Sequence, residues 1–127
     1  MRITNIKHLP IKNIIHTDSN LFIVKLDGKA LMYEAYGDCC SRSFIEDFDI
    51  QIPPNTIIRE VHEVTGKQEE VDGETYKWTF YKFYTNKGVH TLSFRNESNG
   101  YYNGSLEFVA EIDKSEVDNE INKQRDQ

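Results

Sequence analysis

From residue 20 onward the chain alternates short apolar runs with turn-forming dipeptides, and within most runs the apolar positions recur every second residue, a period that predicts antiparallel strands. Phe22, Val24 and Leu26 share one face of a short strand, Asp27-Gly28 makes a hairpin turn, and Leu31, Tyr33 and Ala35 continue on the return strand. Ile57 to Thr65 reads as a further strand, and Gly66 to Glu74 as a polar, turn-rich connection. Tyr76, Trp78 and Phe80, with Tyr81 and Phe83 among them, are bulky on both faces and predict a central strand covered on each side. After a turn at Asn86-Lys87-Gly88, Leu92 and Phe94 point one way while Thr91, Ser93 and Arg95 point the other. Leu106, Phe108, Ala110 and Ile112 alternate with Glu107 and Glu111 as a half-buried strand should.

Two segments carry helical signals instead. Ser43 followed by Glu46 makes a capping-box pattern, and Phe44, Ile45 and Phe48 form an apolar stripe, which predicts a short helix over 42–49 before Pro53-Pro54 forbids continuation. Asp113 or Ser115 can cap a polar terminal helix over 114–124, whose apolar contacts are Val117 and Ile121. The expected architecture is α+β: a predominantly antiparallel β-sheet with one short helix after residue 41 and a C-terminal helix. The 127 residues suffice for a single domain, 1–127, with a β-rich core over about 3–112.

Charge narrows the partners. A formal net charge of −6 repels nucleic acid and offers no basic stripe, so duplex binding is not expected, whereas a few arginines in a concave site can still hold a small anion. Two cysteines, no apolar leader over Met1 to Pro10 and no run of membrane-spanning length predict a cytoplasmic protein without membrane attachment.

Both cysteines lie in Gly37-Asp38-Cys39-Cys40-Ser41. A disulfide between neighbours needs a strained ring, so they read as thiols. A zinc site with His62 and His90 is disfavoured because adjacent cysteines reach one ion poorly. Cys40, just ahead of the expected helix, has the position of an activated nucleophile, yet no histidine is near it in sequence; packing beneath the turn is the competing reading. Asp38 is either a turn residue bonding backbone amides or a ligand-facing carboxylate. Phosphate-loop, nucleophile-elbow and metalloprotease motifs are absent, so no catalytic residue, metal or cofactor is assigned. What remains suits a planar anionic ligand held without reaction: Arg59 and Arg95 as phosphate forks, Asn96 and Asn99 as base-edge partners, and Tyr101, Tyr102 and Phe22 as stacking faces. Equally open is the structural alternative, in which Arg95 pairs with Glu97 or Glu107 and the tyrosines cover a sheet edge.

The run Gly37-Asp38-Cys39-Cys40-Ser41-x-Ser43-Phe44-Ile45, with Phe94-Arg95-Asn96-Glu97-Ser98-Asn99-Gly100-Tyr101-Tyr102-x-Gly104-Ser105-Leu106 further on, resembles the phage Thoeris anti-defence sponge proteins of the first type described. The likeness extends over about residues 3–112. It implies a protein that binds cyclic ADP-ribose isomers, in some members cyclic oligonucleotides, without cleaving them, and that works as a dimer or hexamer in the cytoplasm of an infected bacterium. Two other readings stand beside it: a small acidic protein that inhibits or scaffolds a partner protein, and a thiol enzyme using Cys39 or Cys40.

Overall fold

The structure is a computed structural model that describes residues 1–38, 41–48, 51–99 and 103–125. Among the described residues, eight strands form one antiparallel sheet: β1 (Lys7–His16), β2 (Asn20–Lys25), β3 (Lys29–Gly37), β4 (Arg42–Phe48), β5 (Thr56–Val71), β6 (Glu74–Thr85), β7 (Gly88–Ser98) and β8 (Gly104–Asp113). Their order is β4-β7-β6-β5-β1-β2-β3-β8. A 3-10 turn at Ile3–Asn5 precedes β1, and a second at Lys114–Glu116 leads into α1 (Val117–Arg125). The expected class, a predominantly antiparallel sheet with a C-terminal helix, is what the chain adopts. None of its helices among the described residues is long and apolar enough to cross a membrane.

The sheet rolls around one core. Ile11, Ile23, Tyr33, Ile45, Ile58, Tyr81, Phe94 and Leu106 bring one residue from each strand into a single buried cluster, which Ile3 and Ile6 close. Bonds outside the ladders hold the roll. Ile45 N donates to Asp18 O (2.7 Å), and Leu106 N in β8 donates to Tyr81 Oη in β6 (3.0 Å). A second cluster lies outside the roll, where Phe22, Val24, Ala30 and Met32 are covered by Val117 of α1, with Ile121 packed alongside. Strand β2 is therefore buried on both faces, which explains its unbroken apolar run from Leu21 to Val24.

Three expectations are corrected. Residues 42–48 are strand β4, not a helix. A bulge between Ile45 and Asp47 turns both Ile45 and Phe48 inward, so a strand irregularity reproduced the i, i+3 spacing of a helix. The polar stretch after Thr65 does not leave the sheet, because β5 passes a bulge between Thr65 and Gln68 and stays paired with β6 as far as Val71. The turn itself is confined to Asp72-Gly73, both at positive φ (50° and 84°), the conformation a two-residue hairpin needs. In the first hairpin, Phe22 and Val24 are opposite Met32 and Ala30, while Leu31 and Tyr33 belong to the inner cluster with Leu21 and Ile23. Leu26 sits exposed beyond the end of β2.

Candidate functional site

Strand β7 carries two of the candidate residues side by side, and the period-2 pleat sends them to opposite faces. Phe94 and Leu92 are core residues, so Asn96 faces inward and Arg95 outward. The register places Arg95 between Phe44 of β4 and Trp78 of β6.

Outside, Arg95 is engaged. Nη1 pairs with Glu46 Oε2 at 2.8 Å and Nη2 with Glu97 Oε1 at 3.2 Å. Its guanidinium lies over the rings of Phe44 (4.5 Å), Tyr76 (5.3 Å) and Trp78 (5.9 Å). Trp78 Nε1 reaches Glu46 Oε2 at 3.3 Å, and Lys67 Nζ covers the same indole at 4.7 Å. Two carboxylates offset the charge of the guanidinium, whose Nε is left without a partner among the described residues, and with Arg42 it lines an outer cleft of about 490 Å³. The ion-pair alternative holds for Glu97, and the second acid is Glu46 in place of Glu107.

Inside, the sequence motifs converge on one polar knot. Asn96 Nδ2 donates to Ser43 Oγ (2.8 Å) and Ser41 Oγ (3.1 Å), and Ser41 Oγ donates to Asp38 O (2.8 Å). Asp38 N donates to Asn103 O (2.9 Å) while Asn103 N donates to Asp38 Oδ2 (3.0 Å). The turn role of Asp38 thus takes an unexpected form: its carboxylate caps an amide 65 positions away, joining the β3–β4 and β7–β8 connections. Position 104 requires glycine because a Cβ there would run into Ser43 Oγ and sit 2.7 Å from Tyr36 O.

Asn96 also lines a cleft of about 230 Å³ beside this knot, with Glu63, Thr65, Gln68, Lys77 and Thr79 as further walls and with Lys67 and Trp78 of the outer cluster lining it as well. Lys77 Nζ donates to Asn103 Oδ1 (3.2 Å) at its rim. Asn96 is 3 % exposed, and among the described residues its Oδ1 has no hydrogen-bond partner. The two serine hydroxyls can donate or accept, so turning the amide over only exchanges an orphan oxygen for an orphan nitrogen.

Of the candidate site residues, the structure brings Arg95 and Asn96 to one strand but not to one surface. Arg59 is exposed on β5 at the bulge facing Thr85 and Tyr84 of β6, six residues and so about 20 Å along that strand from Trp78. Phe22 is wholly buried in the cluster beneath α1 and reaches no site. Asn99 is exposed beside Arg42, Glu74 and Glu97. Tyr101, Tyr102, Cys39 and Cys40 lie outside the described residues. Sequence reading missed Glu63, Thr65, Gln68, Lys77 and Thr79. The first three fall at or near the segment taken for a turn, and Lys77 and Thr79 are the polar members of a strand singled out for its rings. Among the described residues, no group of three or more His, Cys, Asp or Glu side chains is arranged to hold a metal ion.

Fold and cleft together define a rolled antiparallel sheet whose interior ends in a polar, partly unsatisfied pocket. Residues 2–108 match the family described as a domain of unknown function, DUF7448, and the chain belongs to that family. The matched stretch takes in β1 to β7, the polar knot and the first half of β8, and stops short of α1. No curated protein and no solved structure matches the chain.

Proposed function

We propose that this protein is a non-catalytic binding protein that holds a small nucleotide-like ligand in the inner cleft and sequesters it unchanged. The observation that carries this reading is a polar cleft lined by the buried Asn96, one end of whose amide has no partner among the described residues. A buried polar group left without a partner costs about 1–3 kcal/mol, and a ligand that supplies the missing bond recovers that cost on binding. The resemblance to phage Thoeris anti-defence sponges supports a cyclic ADP-ribose isomer as the first ligand to try, cyclic oligonucleotides as the next, and the cytoplasm of an infected bacterium as the setting. A volume of about 230 Å³ is below the roughly 300–1,000 Å³ of pockets that enclose drug-sized ligands. One chain then encloses one moiety, and a dimer or hexamer covers the rest of a nucleotide.

The test is a thermal-shift screen against cyclic ADP-ribose isomers, ADP-ribose and cyclic di- and trinucleotides, followed by mass spectrometry of the nucleotide released on heating. Sequestration predicts stabilisation of about 2.7 kcal/mol at 100 times the dissociation constant and recovery of intact ligand. Cleaved nucleotide would establish an enzyme, and a flat screen would remove the nucleotide reading.

A further inference from the structure

We infer that the inner cleft receives a neutral polyol, a sugar ring presenting adjacent hydroxyls, and not a phosphate; this rests on the reading of the cleft as a ligand site. Its wall chemistry decides the class. Phosphate sites combine arginine forks, clustered cations or a helix N-terminus. Here Arg95 is on the opposite face of β7, paired with Glu46 and Glu97 and lining a separate outer cleft with Arg42, and Arg59 is remote on β5. The one α-helix among the described residues packs on β2 and β3, away from the cleft. Of the two lysines at the cleft, Lys67 is taken by the Trp78 ring and by Glu69 at 3.4 Å, and Lys77 reaches Asn103. Glu63 places a carboxylate on the same wall, where it repels an anion.

The same groups match a polyol. A hydroxyl donates once and accepts, so neighbouring hydroxyls can donate to the two oxygens of Glu63 while accepting from the hydroxyls of Thr65 and Thr79, and Asn96 offers whichever end of its amide turns toward the cleft. The cleft also matches in size. At roughly 30 Å³ per water it displaces about eight waters, the scale of one pyranose or furanose ring. For a nucleotide, the moiety that enters is therefore ribose, with base and phosphates left outside.

The experiment is ligand-observed NMR and calorimetry on the full chain with D-ribose, methyl riboside and inorganic phosphate, with Thr79→Val, Asn96→Asp and Arg95→Met in parallel. Ribose and its methyl riboside should bind with dissociation constants on the order of millimolar, as fragments of this size do, and phosphate should not displace them. Thr79→Val, which keeps a branched side chain in the strand, should weaken the sugar about tenfold without a loss of thermal stability, and it decides the matter should Asn96→Asp fold poorly. Arg95→Met should leave sugar binding unchanged. Displacement of ribose by phosphate would overturn the polyol assignment and leave the cleft as a ligand site. Sugar binding that survives Thr79→Val but falls in Arg95→Met would overturn the location. No binding by either sugar, together with a flat nucleotide screen, would overturn both the assignment and the function it rests on.

Discussion

Arg95 and Asn96 are consecutive residues of one strand, and the two faces of β7 treat them in opposite ways. Outside, a cation is stacked among Phe44, Tyr76 and Trp78 and paired with Glu46 and Glu97, so the aromatic face is lidded by the chain's own charges. Inside, an amide is buried among Ser41, Ser43 and Gly104 with one end unmatched. The residue whose chemistry best suits an anion thus has its charge offset by two acids although its Nε stays unpartnered among the described residues, and its quieter neighbour is held by two serines with one amide end unpartnered. Candidate residues are better ranked by what the fold has left unpaired than by their intrinsic appetite for ligands.

The largest effect is expected at Gly104. Gly104→Val puts a side chain where Ser43 Oγ and Tyr36 O already are, and by the usual cost of overpacking it should remove 3 kcal/mol or more, about the top of that range, read as a lost or broadened thermal transition. Next comes the outer face. Arg95→Met keeps bulk over the rings but strands two carboxylates, for an expected loss of about 1–3 kcal/mol in urea unfolding, with sugar or nucleotide binding unaffected. A stability-neutral result there would mean the outer cluster is ornament and Arg95 is free for other work.

A smaller effect at neutral pH, but a distinctive one in alkali, concerns the inner tyrosines. Burial pushes the Tyr33 and Tyr81 phenols well above their ordinary value of 10.0. With the folded value raised, the neutral form is favoured by folding. Their stabilisation is fully present below pH 10 and is lost as pH climbs from 10 toward the folded values. Tyrosinate absorbance in the near ultraviolet should therefore lag for two of the seven tyrosines until the protein unfolds. The least change is expected from Lys67→Ala, about 0.5 kcal/mol from the exposed cation over Trp78, decreasing further in salt.

Much of the fold was legible because alternation survives wherever one face is buried without interruption, as in β7; in β8, expected to keep Leu106, Phe108, Ala110 and Ile112 on one face, a bulge opposite Met32 and Tyr33 leaves Leu106 in the inner cluster and sends Ile112 to the outer one. It failed where a bulge altered the count. Ile45 and Phe48 acquired helical spacing from a bulge in β4, and the polar half of β5 beyond Thr65 has no apolar rhythm because it lies exposed against β6. The site was legible in residues but not in direction. Asn96 was a candidate and does line the cleft; Arg59 and Phe22 were equally plausible by chemistry and lie in other parts of the sheet. Glu63, Thr65 and Gln68 become neighbours of Asn96 only through the β5–β6–β7 register, which no local pattern encodes. The motif around Gly37 and Gly104 was conspicuous, and the fold explains why: two chain connections are tied there by Asp38 and Asn103.

On the proposed function, binding belongs to the inner face of β7 and architecture to the outer. Calorimetric titration of cyclic ADP-ribose, with ribose as the fragment control, into Thr79→Val and Arg95→Met proteins of verified fold tests it most directly. Affinity should fall about tenfold in Thr79→Val, and the dissociation constant should be unchanged in Arg95→Met. Unchanged affinity in Thr79→Val with binding abolished in Arg95→Met would contradict it.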